Sequence, residues 1–409
     1  MIGGTHQTGT AHCATPLLNS SGHGDEGELK QLGAPSPSAV RAANARVCLL
    51  ALRSASGPLT VGELASTTGL SRPTVDAVLQ DLLAAGSTAP APATQAAGAG
   101  RPARRFTFAP SAALVAGLDI GARSVRCLVT DLAGVEIARS TVALDPSAPL
   151  DALVAALEAT GEQAGAMGVA APGIVAADGR VTQSLAAPSL VGLDLAAQLE
   201  KRLGCPVGVE NDIKLAALAE HHLGEDAESM LFVQLGHRIS VAAILGGRIL
   251  QGAHRLAGEL GTQRGMRWTA SSERGRLTWS TGIEAQPLLE RAAAGDAAAR
   301  AEVEEFCAEI APRLATVLLT LDPERVVVGG GLSRAGETLM GPLRAALDHL
   351  LMTEDRPALV TAHLTTDGAL VGALGLAFDL GSAALHGVPG VPAPWTRLPP
   401  TPTAPGGTP

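Results

Sequence analysis

Between Arg41 and Gly86, apolar positions recur at the 3.6-residue spacing of helices that bury one face. From Leu114 onward the pattern changes to short runs of Val, Ile and Leu alternating with Ala-rich stretches. The first region predicts three helices. Arg41–Arg53 supplies Val47, Leu49, Leu50 and Leu52 as apolar positions. Within Thr60–Gly86, Leu64, Thr68, Leu70, Val75 and Val78 fall where two short helices share one seam, and Ala65 is small enough for a close crossing. Gly69 stands where the connecting turn needs a positive φ, Ser71 is placed to cap the second helix, and Pro73 is tolerated in its first turn. The spacing predicts a helix-turn-helix that enters DNA. An αα-hairpin serving only as a core element is the plainer alternative.

A period-two pattern follows. Phe106 and Phe108 alternate with Arg105 and Thr107, as a half-buried strand requires, directly after Gly100-Arg101-Pro102 and Arg104. This predicts the hairpin of a winged helix, with Ala84–Ala99 as its loose connection. Arg101, slim and extended between Gly and Pro, suits a minor groove or a phosphate. Charge sharpens the picture. Ser36–Pro110 holds seven arginines against Glu63, Asp76 and Asp81, a net of +4 inside a chain of net −9. A basic module on an acidic body fits one DNA-contact face rather than indiscriminate coating of nucleic acid. Ser71, Arg72, Thr74, Ala77 and Gln80 are the expected major-groove residues, with Arg101 and Arg104 from the wing.

The strand–helix alternation runs to Leu380 and predicts an α/β body. Residues 1–38 are rich in Gly, Ser, Thr and Pro without periodicity and are predicted disordered. Residues 39–110 form the DNA-binding module, 111–382 the body, and 383–409 a Pro-rich flexible tail. Cys13, Cys48, Cys127, Cys205 and Cys307 are scattered without a close pair, which predicts reduced, buried thiols and no metal cluster. No stretch reads as a membrane span and no signal pattern opens the chain, so a cytoplasmic protein without a membrane partner is expected.

Within the body, Gly117-Leu118-Asp119-Ile120-Gly121 is a strand ending in Asp-x-Gly, a turn suited to a metal–phosphate and equally common in ordinary hairpins. Ala171-Pro172-Gly173-Ile174-Val175, Glu210-Asn211-Asp212, Ala257-Gly258-Glu259-Leu260-Gly261 and Leu321-Asp322-Pro323-Glu324 follow, the last leading into Val326 to Gly331. In this order and spacing, from about Arg41 to Leu380, the chain resembles the ROK family of sugar-responsive repressors and sugar kinases. The resemblance implies a winged helix-turn-helix followed by a two-lobed actin-like (ribonuclease H-like) ATPase fold. Its lobes would cover roughly 111–213 and 214–366, with a last helix over 367–382 returning to the first.

The resemblance also implies roles. Asp119 and Gly121 match the first phosphate loop, and Gly330 and Gly331 belong to the loop beside the adenosine. Asn211 and Asp212 match the pair that binds sugar hydroxyls, Asp212 being the general base in the kinases, and Glu259 matches a further hydroxyl acceptor. Asn211-Asp212 equally reads as the cap of a helix over Ile213–His222, and His221-His222 as its solvated end. Several positions depart from the family. Gly236-His237-Arg238-Ile239-Ser240 replaces a Gly-Thr-Gly-rich loop, although Arg238 suits an anion, and Ala122 and Arg123 replace Gly and Thr. Thr262 stands at the His of Gly-Glu-Ile-Gly-His, Ser189 stands at an Asn, and Gln263–Thr281 lacks the cysteine cluster. Structural zinc is therefore not expected. Trp268 and Trp279 are expected to pack that segment instead, and the altered loops weigh against ATP binding.

The sequence thus predicts a DNA-binding transcriptional regulator, a repressor by type, rather than an enzyme. Its expected partners are operator DNA, a sugar or sugar-phosphate effector, and a second copy in a homodimer or dimer of dimers. An ATP-dependent sugar kinase with an appended DNA module, and a dimerisation scaffold that senses nothing, are the alternatives.

Overall fold

The computed structural model describes residues 36–92, 103–224, 227–263, 265–273 and 275–398. Arg101, Cys13, residues 1–35 and residues 399–409 lie outside the described residues, whereas Ser36, Pro37 and Ser38, predicted disordered, cap and open the first helix.

The N-terminal unit is three helices and a small sheet. Helix α1 (Pro37–Ser54) is capped by Ser36. Strand β1 (Leu59–Thr60) leads into α2 (Val61–Thr68), and α3 (Arg72–Ala84) follows. Thr60 and Glu63 form a reciprocal capping box at α2, with Glu63 N–H donating to Thr60 Oγ1 (3.1 Å) and Thr60 N–H to Glu63 Oε2 (2.7 Å). Gly69 ends α2 at φ 72°, the left-handed conformation the turn required. Ser71 caps α3, accepting from Thr74 N–H. Strands β2 (Thr88–Ala91) and β3 (Arg105–Phe108) complete the antiparallel order β1-β3-β2. Phe106 and Phe108 point inward, joining Leu49, Leu64, Val75, Leu79 and Leu82 in one core.

Two five-stranded sheets built on one plan make the body. The first comprises β4 (Leu114–Ile120), β5 (Ser124–Asp131), β6 (Glu136–Ala143), β7 (Ala166–Ala171) and, beyond the β8/β9 ribbon (Ile174–Val175, Val181–Gln183), β10 (Val207–Asn211). Its order is β10-β7-β4-β5-β6, an antiparallel meander with two parallel strands added. Helices α4 (Pro149–Glu158) and α5 (Leu195–Leu203) cover one face, and α6 (Asp212–Leu223) leads to the second sheet. That sheet comprises β11 (Ser229–Leu235), β12 (Ile239–Leu245), β13 (Arg248–Ile249), β14 (Arg325–Gly329) and β15 (Ala358–Thr361), in the order β13-β12-β11-β14-β15. Helices α7 (Gln286–Ala293), α8 (Ala297–Leu321) and α9 (Glu337–Leu350) pack on it. The result is an α/β fold with mixed sheets.

Helix α10 (Gly368–His386) then returns to the first sheet. Gly117, Gly168 and Gly208 stand side by side in register on β4, β7 and β10 and form a groove for it. A Cβ on Gly168 would lie 1.8 Å from the Ala373 carbonyl oxygen, so no other residue fits without moving the helix. Two expectations are corrected here. Helix α10, 19 residues with a mean hydropathy of 1.6, is as long and apolar as a membrane span, but 72% of that stretch is buried against the protein's own sheet and α6. Predicted to end at 382, it continues to His386, because Ser382 and His386 pack inward and Gly387 supplies the left-handed cap.

The segment read as a flexible tail from 383 is also packed, as far as Leu398. Ser382 Oγ donates to the Val388 carbonyl and accepts from Val391 N–H, both at 2.8 Å. Trp395 seats on Gly375 and stacks on His222 with ring centroids 4.4 Å apart. His222, expected at a solvated helix end, therefore carries an aromatic partner. Proline frequency misled because Val391, Ala393, Trp395 and Leu398 hold this strap in the core shared with the N-terminal helices.

Candidate functional site

The residues singled out from sequence fall in two places. On α3, Ser71, Arg72, Ala77 and Gln80 are exposed along one outer surface, with Thr74 half-buried and bonded to Ser71 Oγ at 2.8 Å. Val75, Val78, Leu79 and Leu82 occupy the opposite, buried side. Arg104 lies over the Phe106 ring with its guanidinium carbon 5.2 Å from the centroid. The positive charge of this unit is less available than its count implies. Arg41 makes a paired contact to Asp81 (2.8 and 2.9 Å), and Arg53 donates to the Pro392 carbonyl. Arg105 donates to the Pro58 carbonyl and faces Glu63. Arg72 and Arg104 are exposed.

The second place is where the edge of the first sheet, the start of α6 and the loop after β13 meet. Asp119 is the last residue but one of β4, Asp212 opens α6, and Glu259 caps a 3-10 turn after β13. Burial pushes the Asp212 carboxyl up to about 8, helped by the negative charges of Asp119 and Glu259. Glu259 is raised by burial and drawn back by Lys214. Asn211 stands beside them with its side chain committed to structure: Oδ1 accepts from Lys214 N–H (2.9 Å) and Nδ2 donates to the Gly173 carbonyl (2.8 Å). It caps α6 and ties it to the Ala-Pro-Gly loop.

Arg126, Asp367 and Thr366 were not singled out from sequence. Arg126 on β5 donates through Nε and Nη2 to Asp119 Oδ2 (3.1 and 2.6 Å) and through Nη1 to Asp367 Oδ1 (2.7 Å), with Nη2 also reaching the Thr366 carbonyl (2.8 Å). A single arginine in an otherwise buried strand was the signal available. Asp119 Oδ2 is therefore engaged by a guanidinium. A cavity of about 640 Å³ lies against Gly236, His237, Gly331 and Thr366 and is floored by apolar atoms of Trp279, Leu289 and Leu332. That volume is within the range of cofactor pockets. Gly330, next to the lining residue Gly331, has φ 86°, and a Cβ there would meet the Leu235 carbonyl oxygen at 2.4 Å.

The departures have visible consequences. Arg238 lies against the Gly275 turn, where a Cβ would come within 2.9 Å of its Nη1. Thr262 turns its hydroxyl back onto the Glu259 carbonyl (2.7 Å). Trp268 is buried, and Trp279 packs on Phe306 at 4.8 Å between centroids.

Residues 115–265 and 263–379 match the family model described as ROK family. The bifunctional enzyme NanE/NanK of Brucella melitensis biotype 1 is 30% identical over 216 residues, which is 49% of this chain and 41% of that enzyme. The chain thus spans about two-fifths of the length of the first curated relatives it matches. A ROK family glucokinase from Streptomyces griseus, solved with glucose and AMPPNP, superposes with a TM-score of 0.56 at 27% identity, covering 64% of this chain and 99% of that one. A ROK family transcriptional regulator, a homolog of the E. coli MLC protein, superposes with a TM-score of 0.64 at 18% identity, a likeness of fold covering 88% of this chain and 98% of that one. The expectation that the chain is not an enzyme is overturned by these relatives, which include glucokinases and N-acetylmannosamine and N-acetylglucosamine kinases. It rested on two short loops, whereas the likeness to kinases extends through the whole body. With both halves of that body matched by one family model, the chain belongs to the ROK family.

Proposed function

We propose that this chain is a sugar-responsive DNA-binding regulator in which α3 enters the major groove, β2 and β3 form the wing, and the cleft of the body holds a sugar. Ser71, Arg72, Thr74, Ala77 and Gln80 read or anchor the operator, with Arg101 and Arg104 at the wing. Asp212 and Glu259 accept sugar hydroxyls and Asn211 orients Asp212. Two copies related by a two-fold axis would read an inverted repeat.

The observation that carries this reading is the path of α10. Its first turn lies at Asp367, bonded to Arg126 in the cleft. Its last residue, His386, accepts from Ser87 Oγ of the N-terminal unit (2.8 Å), and Gly387 beside it lies against Ala85. A 19-residue helix spans roughly 28 Å. It joins the ligand cleft to the DNA-binding unit through close-packed glycine contacts that leave no slack. The regulator fold covers more of this chain than the glucokinase fold, which supports assigning residues 36–110 to the DNA-binding module. The test is operator selection from genomic fragments, followed by affinity measurement with and without glucose, mannose, galactose and N-acetylmannosamine. Absence of a selected sequence would sink the reading.

A second reading, sugar phosphorylation in the same cleft, is favoured by the kinase relatives and by Asp212. A buried carboxyl with a pKa near working pH suits proton abstraction from a hydroxyl. The nucleotide would sit in the cavity beside Gly331 and supply the phosphoryl group, with Asp212 holding the proton. An ATP-dependent turnover assay on the same four sugars tests it. Turnover that Asp212→Asn abolishes supports it, and no turnover with any of them removes it.

A further inference from the structure

Four residues close a buried ring, Arg255 taking part through both its side chain and its carbonyl. Glu210 lies on β10 and Lys214 on α6, while Gln251 and Arg255 lie in the loop running from β13 to Glu259. Gln251 Nε2 donates to Glu210 Oε2 (2.7 Å), and Arg255 Nη1 donates to the same oxygen (3.1 Å). Lys214 Nζ donates to Gln251 Oε1 (3.1 Å) and to the Arg255 carbonyl (3.3 Å). The other oxygen of Glu210 accepts from Asn211 N–H (2.8 Å). Glu210, Lys214 and Gln251 are each no more than 3% exposed.

The ring sits between the two segments that present the ligand residues. Glu210 immediately precedes Asn211 and Asp212, and Arg255 is four residues before Glu259. One segment comes from the first sheet and the other from the second, so the ring sets the distance across the cleft. Arg255 carries a further sign of function. Its φ is 61°, a left-handed conformation that side chains with a Cβ rarely adopt. Glycine would take that backbone without strain, so the guanidinium is retained at a conformational cost. Buried ion pairs seldom add net stability over apolar packing, and alignment is what such pairs are best placed to supply.

We propose that Glu210, Lys214, Gln251 and Arg255 are positioning residues that fix Asp212 against Glu259, and that Arg255 thereby sets which sugar epimers the cleft accepts. This rests on the sugar reading above. Arg255→Gly keeps the left-handed backbone and the carbonyl that Lys214 uses, and removes the side chain with its guanidinium. Gln251→Met breaks two bonds of the ring without changing its charge.

Calorimetric titration with glucose, mannose, galactose and N-acetylmannosamine is the first measurement. For Arg255→Gly, Tm is expected to fall, because the buried Glu210 carboxylate loses its guanidinium, so sugar binding is measured at a temperature where the variant is folded. Affinity for the preferred sugar should fall ten-fold or more, and discrimination between epimers should narrow. Arg255→Lys, which restores a cation to Glu210, should recover most of both. Wild-type binding and discrimination in Arg255→Gly overturn the proposal. If the wild-type chain binds none of the four sugars, the sugar reading fails, and the ring is judged by a carboxyl NMR titration of Asp212. A midpoint displaced by half a pH unit or more in Gln251→Met supports positioning. An unmoved midpoint, with Tm unchanged, overturns it.

Discussion

Asp212 is where burial and chemistry meet in one side chain. Its carboxyl, raised to about 8 by burial and then by Asp119 and Glu259, keeps its proton in the folded chain long after the unfolded chain has released it near pH 4. The native state therefore binds more protons than the unfolded state between about pH 4 and 8, and stability must fall as pH rises through that window. Asp212→Asn removes the ionisable group and should raise Tm at pH 8 while leaving it nearly unchanged at pH 4. Melting curves across this range check the sign. An equal Tm gain at both ends would mean that ionisation is not the cause. The same protonation predicts that any function using the carboxylate as a base increases with pH through about 8. Arg126 is the complementary case, a cation held by Asp119 and Asp367. Arg126→Ala would leave two buried carboxylates without their partner and should cost about 3–5 kcal/mol in denaturant melts.

Two helices carry the functional argument. The outer face of α3 is exposed while its inner face is core, so substitutions there separate binding from folding. Arg72→Ala should weaken operator binding and reduce its salt slope by about one phosphate equivalent, with Tm unchanged. Arg41→Ala, which breaks a surface pair with Asp81, should leave the slope untouched. Fluorescence anisotropy at several salt concentrations distinguishes them, and equal slopes for both variants would contradict the assignment of α3. Helix α10 depends on the glycine groove beneath it. Gly168→Ala places a methyl group inside the Ala373 carbonyl and should destabilise the chain by about 1–3 kcal/mol or more.

Across the whole molecule, the N-terminal unit, α10 and the C-terminal strap share one hydrophobic core. Coupling between sugar and DNA is therefore expected to pass through packing rather than through a hinge. Linkage makes the coupling reciprocal: a sugar that weakens operator binding by some factor must itself be bound more weakly, by the same factor, on operator-saturated protein. Paired titrations measure both directions. Trp395 clamps the strap onto Gly375 and His222, and Trp395→Ala should cost about 3–5 kcal/mol. It should also reduce the effect of sugar on operator affinity, without changing sugar affinity in the absence of DNA. Retained coupling in this variant would exclude the strap from the route.

Local chemistry was legible in the chain itself. The seam of Leu64, Val75 and Val78, the turn at Gly69, the cap at Ser71 and the alternation of Phe106 and Phe108 are set by neighbours within a few residues, so spacing alone reveals them. The motif set from Asp119 to Gly331 likewise points to the fold, because each motif marks a turn that the backbone must make. Nothing in the sequence pairs Arg126 with Asp367, 241 residues away, or Gln251 with Glu210. Such contacts depend on how two sheets and a returning helix meet. Composition also failed where packing prevailed: the Pro-rich end was read as flexible, yet Trp395 and Val391 found a hydrophobic groove. Sequence determined the elements and their caps because those energies are local. Tertiary structure alone decided which charges are buried together, because burial depends on what the rest of the chain places over them.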